Sequence, residues 1–587
     1  MPVLFRFCIK VISMQQFILI VLSCLIALSG CDSSSGKKTE TASGEDRSPS
    51  PVLAELKYGT LKDITADHTN NLVAYIPPQC YTNPISDNGE EHNPCYACHT
   101  PSKDPNFFND TDVQLTYSFP EVGTKNYWTN VYKDRSGEIA DISDSEILDY
   151  VRDDNYFTDD GYIILAEKFK NIPAEWDRNK NGKWDGYTPD IYFNFNEEGF
   201  DVNPRGELTG WRAFAYYPFL GTFMPTNGST DDVMIRLPES FREDKDGKFN
   251  LDIYKVNLAV VEAMVKQQSI AISPVDENIL GVDLNKDGTL NTALQVTFDW
   301  APLEKRYMSY VGRAKELLDA GELHIAGGLY PEGTEFVHSV RYIDVDGDKT
   351  KMASRMKELR YSRKIDWKNY YQLRTIVSDE AKERHDFPDR TKTIYGNMEE
   401  GLNAQHGWVY QGFIEDDAGE LRPQTYEETT LCIGCHGNIG ATADTTFSFQ
   451  WKLGADQYKS GWYSWMEHGL DGVADPLRED GKGQYAFYLE HNSTGNEYRT
   501  NSEVEAKFFN PDGSKNEEAF ALLKNDISYL LMPSPQRALK LDKAYKIIVD
   551  EQSFDKGREA VIEPMTKVYQ EVEVEQETGI SQYLTRF

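Results

Sequence analysis

Cys95-Tyr96-Ala97-Cys98-His99 is matched in pattern by a second stretch, Cys432-Ile433-Gly434-Cys435-His436. Each sets two thiols three residues apart and puts an imidazole directly after the second. This is the C-x-x-C-H pattern of covalent haem attachment. The thiols add across the two vinyl groups, and the adjacent imidazole reaches the iron from the same side. The width of the porphyrin edge dictates the spacing. Two other chemistries use part of the pattern. Paired C-x-x-C units can build one zinc site, and a C-x-x-C in an exported chain can be a redox disulfide. Neither calls for a His after both pairs. The two stretches govern the fold reading, because a bound macrocycle adds a large apolar surface and can stand in for a conventional core.

In these two pentapeptides the chain resembles c-type cytochromes, and the resemblance covers little else. It implies two covalently bound haem c groups. Cys95, Cys98, Cys432 and Cys435 would form the thioether bonds, and His99 and His436 would be proximal iron ligands. Distal ligands are commonly Met or His. Met224 and Met532, each followed by Pro, are candidates. So is His338, in the alternating stretch Glu335-Phe336-Val337-His338-Ser339-Val340. Met is also a common core filler, and a lone His is more often structural. Cys80, in Pro77-Pro78-Gln79-Cys80-Tyr81, reads as a buried or free thiol, with a distal thiolate as the alternative.

The N-terminus reads as an address. Arg6 and Lys10 precede an apolar run through Phe17–Leu22 and Leu25–Leu28, then Ser29-Gly30-Cys31. This order is a secretory signal. Its end resembles the lipobox of bacterial lipoproteins, which implies that Cys31 is lipidated and begins the mature chain. A plain cleaved signal or an uncleaved anchor are the alternatives. Residues 31–54 are rich in Ser, Gly, Lys and Pro, the composition of a lipid-anchored flexible tether. The expected location is the bacterial cell envelope, on the periplasmic or cell-surface side, with the membrane held through the lipid.

Composition narrows the rest. The 587 residues carry a formal net charge of −34, which disfavours nucleic acid as a partner. With 34 Tyr, 28 Phe and 10 Trp the chain is too aromatic to be disordered throughout. No long apolar run follows residue 30, so a multi-span membrane protein is excluded.

Two loops look suited to a hard cation. Asp177, Asn179, Asn181 and Asp185 follow D-x-N-x-N-G-x-x-D, and Asp283, Asn285, Asp287 and Asn291 follow D-x-N-x-D-G-x-x-N. Alternate side-chain oxygens and a Gly turn resemble an EF-hand loop and point to Ca2+. Thr188 and Leu294 stand where that family has a bidentate Glu, so another segment would have to supply a carboxylate. An Asx-rich turn without an ion is the alternative. Asp344-Val345-Asp346-Gly347-Asp348 reads as a turn.

The fold class expected is α+β, with mixed helices, short strands, much irregular structure, and haem-bearing segments near both ends of the mature chain. The divisions are a signal at 1–30, a tether at 31–54, a first haem segment at 55–170, a central region at 171–425 and a second haem segment at 426–587. Strands are expected at 211–216, 233–237 and 407–414, and helices at 252–270, 303–319, 364–384, 516–531 and 535–550. The function these readings favour is a dihaem c-type cytochrome lipoprotein carrying electrons to a redox partner with a basic docking surface. The alternative is a dihaem redox enzyme, peroxidase-like or sulfur-oxidising, with one open distal site. A zinc- or calcium-stabilised binding module without haem is a third reading.

Overall fold

The long strands β6 (Glu335–Asp346) and β7 (Lys349–Lys364) pair antiparallel across a two-residue turn, Gly347-Asp348. Gly347 has φ +66°, which a hairpin turn of this length requires. Of the Asp-rich stretch only Gly347 and Asp348 form the turn; Asp344–Asp346 are paired in β6. This hairpin is the spine of the computed structural model, which describes residues 69–102, 104–106, 110–221, 232–493 and 501–586. Residues 64–587 form one compact unit.

Seven more strands extend the hairpin into a nine-stranded antiparallel sheet. They are β1 (Phe200–Val202), β2 (Leu208–Phe214), β3 (Val233–Arg236), β8 (Tyr395–Asn397), β9 (Gly401–Asn403), β10 (Trp408–Glu415) and β11 (Leu421–Pro423). The order is β1-β2-β3-β6-β7-β10-β9-β8, with β11 on β10. A separate pair joins β4 (Ile270–Asp276) to β5 (Thr292–Val296). The class is α+β.

Side chains alternate across the sheet, as strand geometry demands. Trp211, Met234, Val337, Leu359 and Phe413 point to one face and pack with Tyr156, Phe169 and Tyr187. Phe214, Ile235, Phe336, Trp408 and Tyr410 point to the other and pack with Tyr330 and Phe449. Both faces are covered, although β7 also carries buried Arg355, Lys357, Glu358 and Lys364. Full burial of Trp211 and Trp408 contributes roughly 1.5–3 kcal/mol or more each, on the scale of other large apolar side chains.

The expected helix at 252–270 is Leu251–Lys266, started by Asn250 and ended by Gln267 at φ +53°. That at 535–550 is Pro535–Glu551, capped by Ser534. Others are shorter than the pattern suggests. Only Arg313–Asp319 of 303–319 is α-helical, because Lys305 (φ +61°) and Gly312 (φ +64°) turn the chain away. The 364–384 helix begins at Tyr370, since Lys364 still pairs in β7 and Asn369 with Gln372 forms the capping box. The 516–531 segment breaks into Glu517–Leu523 and Ser528–Leu531.

The first cysteine segment is built of short 3-10 turns, such as Pro78–Tyr81, Cys95–Ala97 and Thr129–Tyr132. Their apolar residues Val73, Ile76, Tyr81, Trp128 and Val131 gather around Val568. The last stretch of chain bridges back along this segment, with Val568 opposite Thr82, Glu571 opposite Lys125 and Glu577 opposite Thr116. Chain ends far apart in sequence thus form one body.

Candidate functional site

Pro94 opens the first motif. The turn Cys95–Ala97 closes with Cys98 N donating to Cys95 O at 3.2 Å and His99 N donating to the same carbonyl at 2.9 Å. Tyr96 is wholly buried against Phe487 and Tyr488, which fixes the turn from behind. The second motif forms the last turn of the helix Tyr426–His436. Thr425 and Glu428 make its capping box, and Arg422 holds Glu428 through two 2.9 Å bonds. In both motifs helical winding brings the two cysteines, three residues apart, to one face.

The structure brings the two motifs together. Ala441 N donates to Cys98 O at 3.1 Å, and Asn106 Nδ2 donates to Ile439 O at 2.7 Å. Gly440 lies flat against the first motif, where a Cβ would overlap the Thr100 carbonyl. Gly434, inside the second motif, leaves the same kind of room for the Tyr75 carbonyl. Cys435 lies near enough to Cys80 and Cys98 to disfavour their thiolates.

All six motif residues with reactive side chains are half-buried, while Tyr96, Ala97 and Ile433 between them are buried. Burial nonetheless raises the thiol pKa of Cys432 and Cys98, and pushes Cys95 up to about 12. Cys80, Cys95, Cys98, Cys432 and Cys435 are all free thiols. Among the described residues no three His, Cys, Asp or Glu side chains group closely enough to hold one metal ion. The four motif sulfurs are therefore not gathered around a shared zinc position.

The histidines are anchored in one way. His99 Nδ1 lies 2.8 Å from Oδ2 of the buried Asp110. Burial alone would lower its pKa, but the Asp110 bond and the neighbouring Cys80 raise it to about 10. His436 Nδ1 lies 2.8 Å from the Thr445 carbonyl. Burial takes its pKa down to about 4; the Thr445 bond opposes this, while Arg360 and His338 add to it. Its ring packs on Tyr410 at 4.7 Å and edge-on to Phe447 at 5.4 Å. The carbonyl is delivered by a strained turn: Asp444 and Thr445 have φ +50° and +58°, each costing about 1 kcal/mol or more. Asp444 is held there by a buried ion pair with Lys364 and by Tyr330 N at 2.9 Å.

His338 lies at the centre of the sheet. It pairs with Val233 on β3 and Arg360 on β7, with Nδ1 3.0 Å from the Asp232 carbonyl. Met532 packs instead with Ile343, Val345 and Ala538, away from both motifs. Met224 and the lipidation candidate Cys31 lie outside the described residues.

The two Asx-rich loops are built alike. Gly182 N donates to Asp177 Oδ2 at 2.8 Å, and Gly288 N donates to Asp283 Oδ2 at 3.0 Å. Asn179 and Asn181 donate to Asp185 Oδ2, and Asn291 donates to Asp287 Oδ2. Asn285 donates to Asp287 Oδ2 and to Asn291 Oδ1. Each loop has a buried Glu from outside it. Glu399 accepts from Arg178 N and Asp185 N; Glu277 accepts from Leu284 N, Asn285 N and Asn291 N. Both carboxylates are taken up by backbone N–H groups of the loops.

Asp110 and the Thr445 carbonyl escape sequence reading. An acid eleven residues beyond its His follows no helical or strand spacing, and a backbone oxygen has no letter.

A model of a lipoprotein family matches residues 64–527. The chain belongs to this lipoprotein family. A protein of Aquifex aeolicus (strain VF5) named as an uncharacterized lipoprotein is 30% identical over 567 residues, 87% of this chain and 90% of that one. No solved structure gives a match. The lipoprotein is thus lipid-anchored at the cell envelope. These matches overturn the resemblance to c-type cytochromes, because family and relative are lipoproteins and not cytochromes c. The reading as a dihaem electron carrier, and its alternative as a dihaem redox enzyme, go with it, and neither comparison points to a redox partner. Two pentapeptides are too short a likeness to define a family.

Proposed function

We propose that this lipoprotein is a lipid-tethered body that holds two covalently attached haems side by side at its converging motifs. The observation that carries the reading is the shared anchoring of both motif imidazoles. Each holds Nδ1 against an oxygen, of Asp110 or Thr445, and in the neutral ring that bond leaves Nε2 as the metal-binding nitrogen. A metal-ligating His is held in this way by its surroundings. The donor set fits the group: two thiols one helical turn apart, an oriented imidazole beside them, and side chains that are only half-buried. When bound, haem would supply a redox-active iron and a broad apolar surface.

The chain's own residues do the holding. Cys95, Cys98, Cys432 and Cys435, all free thiols here, would hold the group through thioether bonds to its two vinyl groups. His99 and His436 stand ready on the same side. Tyr410, tilted, and Phe447, edge-on, pack against the His436 ring and fix its plane.

The test is haem counting on full-length protein from a host that matures haem c. Two haems per chain should survive denaturing electrophoresis and appear in the intact mass. Cys95→Ser with Cys98→Ser should remove one, as should Cys432→Ser with Cys435→Ser. A chain without covalent haem from that host overturns the reading.

A further inference from the structure

We propose that Lys364 is a positioning residue for the His436 imidazole, acting through a strained turn at Asp444 and Thr445. This rests on the haem reading above. Ala443 and Thr446 exchange two backbone hydrogen bonds, at 2.9 and 3.0 Å, around those two residues. Both central residues have positive φ, +50° and +58°. That is the left-handed pair of a type I′ turn, which Asn-Gly favours. Asp tolerates such backbone, whereas a β-branched Thr adopts it rarely. Strain of this kind persists only where the surroundings impose it, and it gathers at working sites.

The restraint comes from the sheet. Lys364 ends β7, its N–H donating to Thr334 O at 2.9 Å and its carbonyl accepting from Gly333 N at 2.7 Å. Its ammonium pairs with Asp444 Oδ2, and both side chains are fully buried. Tyr330 N donates to the same oxygen at 2.9 Å. Tyr410 OH donates to the Thr445 carbonyl at 3.1 Å. The turn so held delivers two contacts to one ring: Thr445 O at 2.8 Å from His436 Nδ1, and Phe447 edge-on at 5.4 Å. Tyr410 closes the circuit, because its own ring lies 4.7 Å from that of His436. A turn with a structural duty alone is better made by Asn-Gly. A buried ion pair, likewise, is often no more stable than apolar side chains of similar volume. Both costly features converge on the plane of one imidazole.

The experiment uses the full-length haem-loaded protein. Lys364→Met combined with Asp444→Ala removes both charges together, so no lone charge is left buried. The electron paramagnetic resonance spectrum of the oxidised protein should then shift or broaden for one haem of two, with the haem count unchanged, since the plane of the ring sets the symmetry around the iron. Adding Thr445→Gly to that pair should restore the native spectrum, because glycine takes left-handed backbone without an anchor. Thr445→Gly alone should raise the denaturant midpoint. An unchanged spectrum in the double variant overturns the positioning role. A Thr445→Gly protein no more stable than the native one overturns the strained turn. A native chain without haem overturns the parent reading alone. Nitrogen-15 NMR of the His436 ring then reports, haem or none, whether the Lys364–Asp444 pair keeps the proton on Nδ1 against Thr445; the same tautomer in native and double-variant chains overturns the positioning role there too.

Discussion

Asp110 Oδ2 stands 2.8 Å from His99 Nδ1, while the equivalent nitrogen of His436 meets only the neutral carbonyl of Thr445. A carboxylate draws the ring proton more strongly than an amide oxygen does and makes the imidazole a stronger donor to a metal. The two motifs are alike in letters and unlike in electronics. Asp110→Asn keeps an acceptor but removes its charge. A spectroelectrochemical titration of the haem-loaded protein should show one midpoint potential raised, because the lost charge no longer favours the ferric iron, with the haem count unchanged. Unmoved potentials would show that the carboxylate does not tune His99.

Gly440 is required for its missing Cβ, since its backbone lies against the Thr100 carbonyl. Gly440→Ala should push the two motif segments apart and destabilise the fold by about 1–3 kcal/mol. Thermal or denaturant unfolding measures this. Gly137→Ala, where a Cβ meets open space, serves as the control and should be close to neutral.

Asp542 gives the stability a pH dependence of definite sign. Burial raises its pKa to about 7, against the opposing pull of Lys357 and the Ile343 N–H. The folded state thus binds this proton more tightly than the unfolded chain. The contribution is complete below the ordinary carboxylate range near 4 and is lost as pH rises through about 7. Each unit by which a pKa moves is worth about 1.4 kcal/mol, so the loss is a few kcal/mol. Asp542→Asn keeps an acceptor for Ile343 N (3.2 Å in the native protein). It should equal or trail the native protein at pH 4 and surpass it at pH 8. Parallel stability curves across that range would falsify the assignment.

Glu277 accepts three backbone N–H groups of the Asp283 loop and is fully buried. Glu277→Ala leaves those donors unpaired, at about 1–3 kcal/mol for each that stays dry. Hydrogen exchange should speed at Leu284, Asn285 and Asn291 and remain unchanged in β10.

Cys31→Ala tests the acyl acceptor that the sequence of the N-terminus implies. Detergent-phase partitioning and metabolic acyl labelling should both be lost, and the chain should move to the soluble fraction. Retained label would place the lipid elsewhere.

How far the letters carried can be traced through particular residues. The strands around Trp211, Val233 and Trp408 and the helices after Asn250 and Ser534 follow from apolar pattern and caps, which are local signals. Lys305 and Gly312 broke an expected helix because left-handed backbone is decided by packing as much as by residue type. The meeting of Cys98 with Ala441 had no local signal, since nothing near either residue encodes a partner hundreds of positions away. The pentapeptides misled in a different way. A motif reports a chemistry within five residues, whereas descent is written over the hundreds that match the lipoprotein relative.

The return of Val568, Glu571 and Glu577 along the strip from Thr82 to Lys125 imposes a timetable. A chain threaded outward from its N-terminus delivers Cys95 and Cys98 long before the residues that will cover their segment. Closing so wide a loop comes late in folding. Until then these sulfurs wait on an open strand, within reach of whatever modifies or oxidises them outside the cytoplasm.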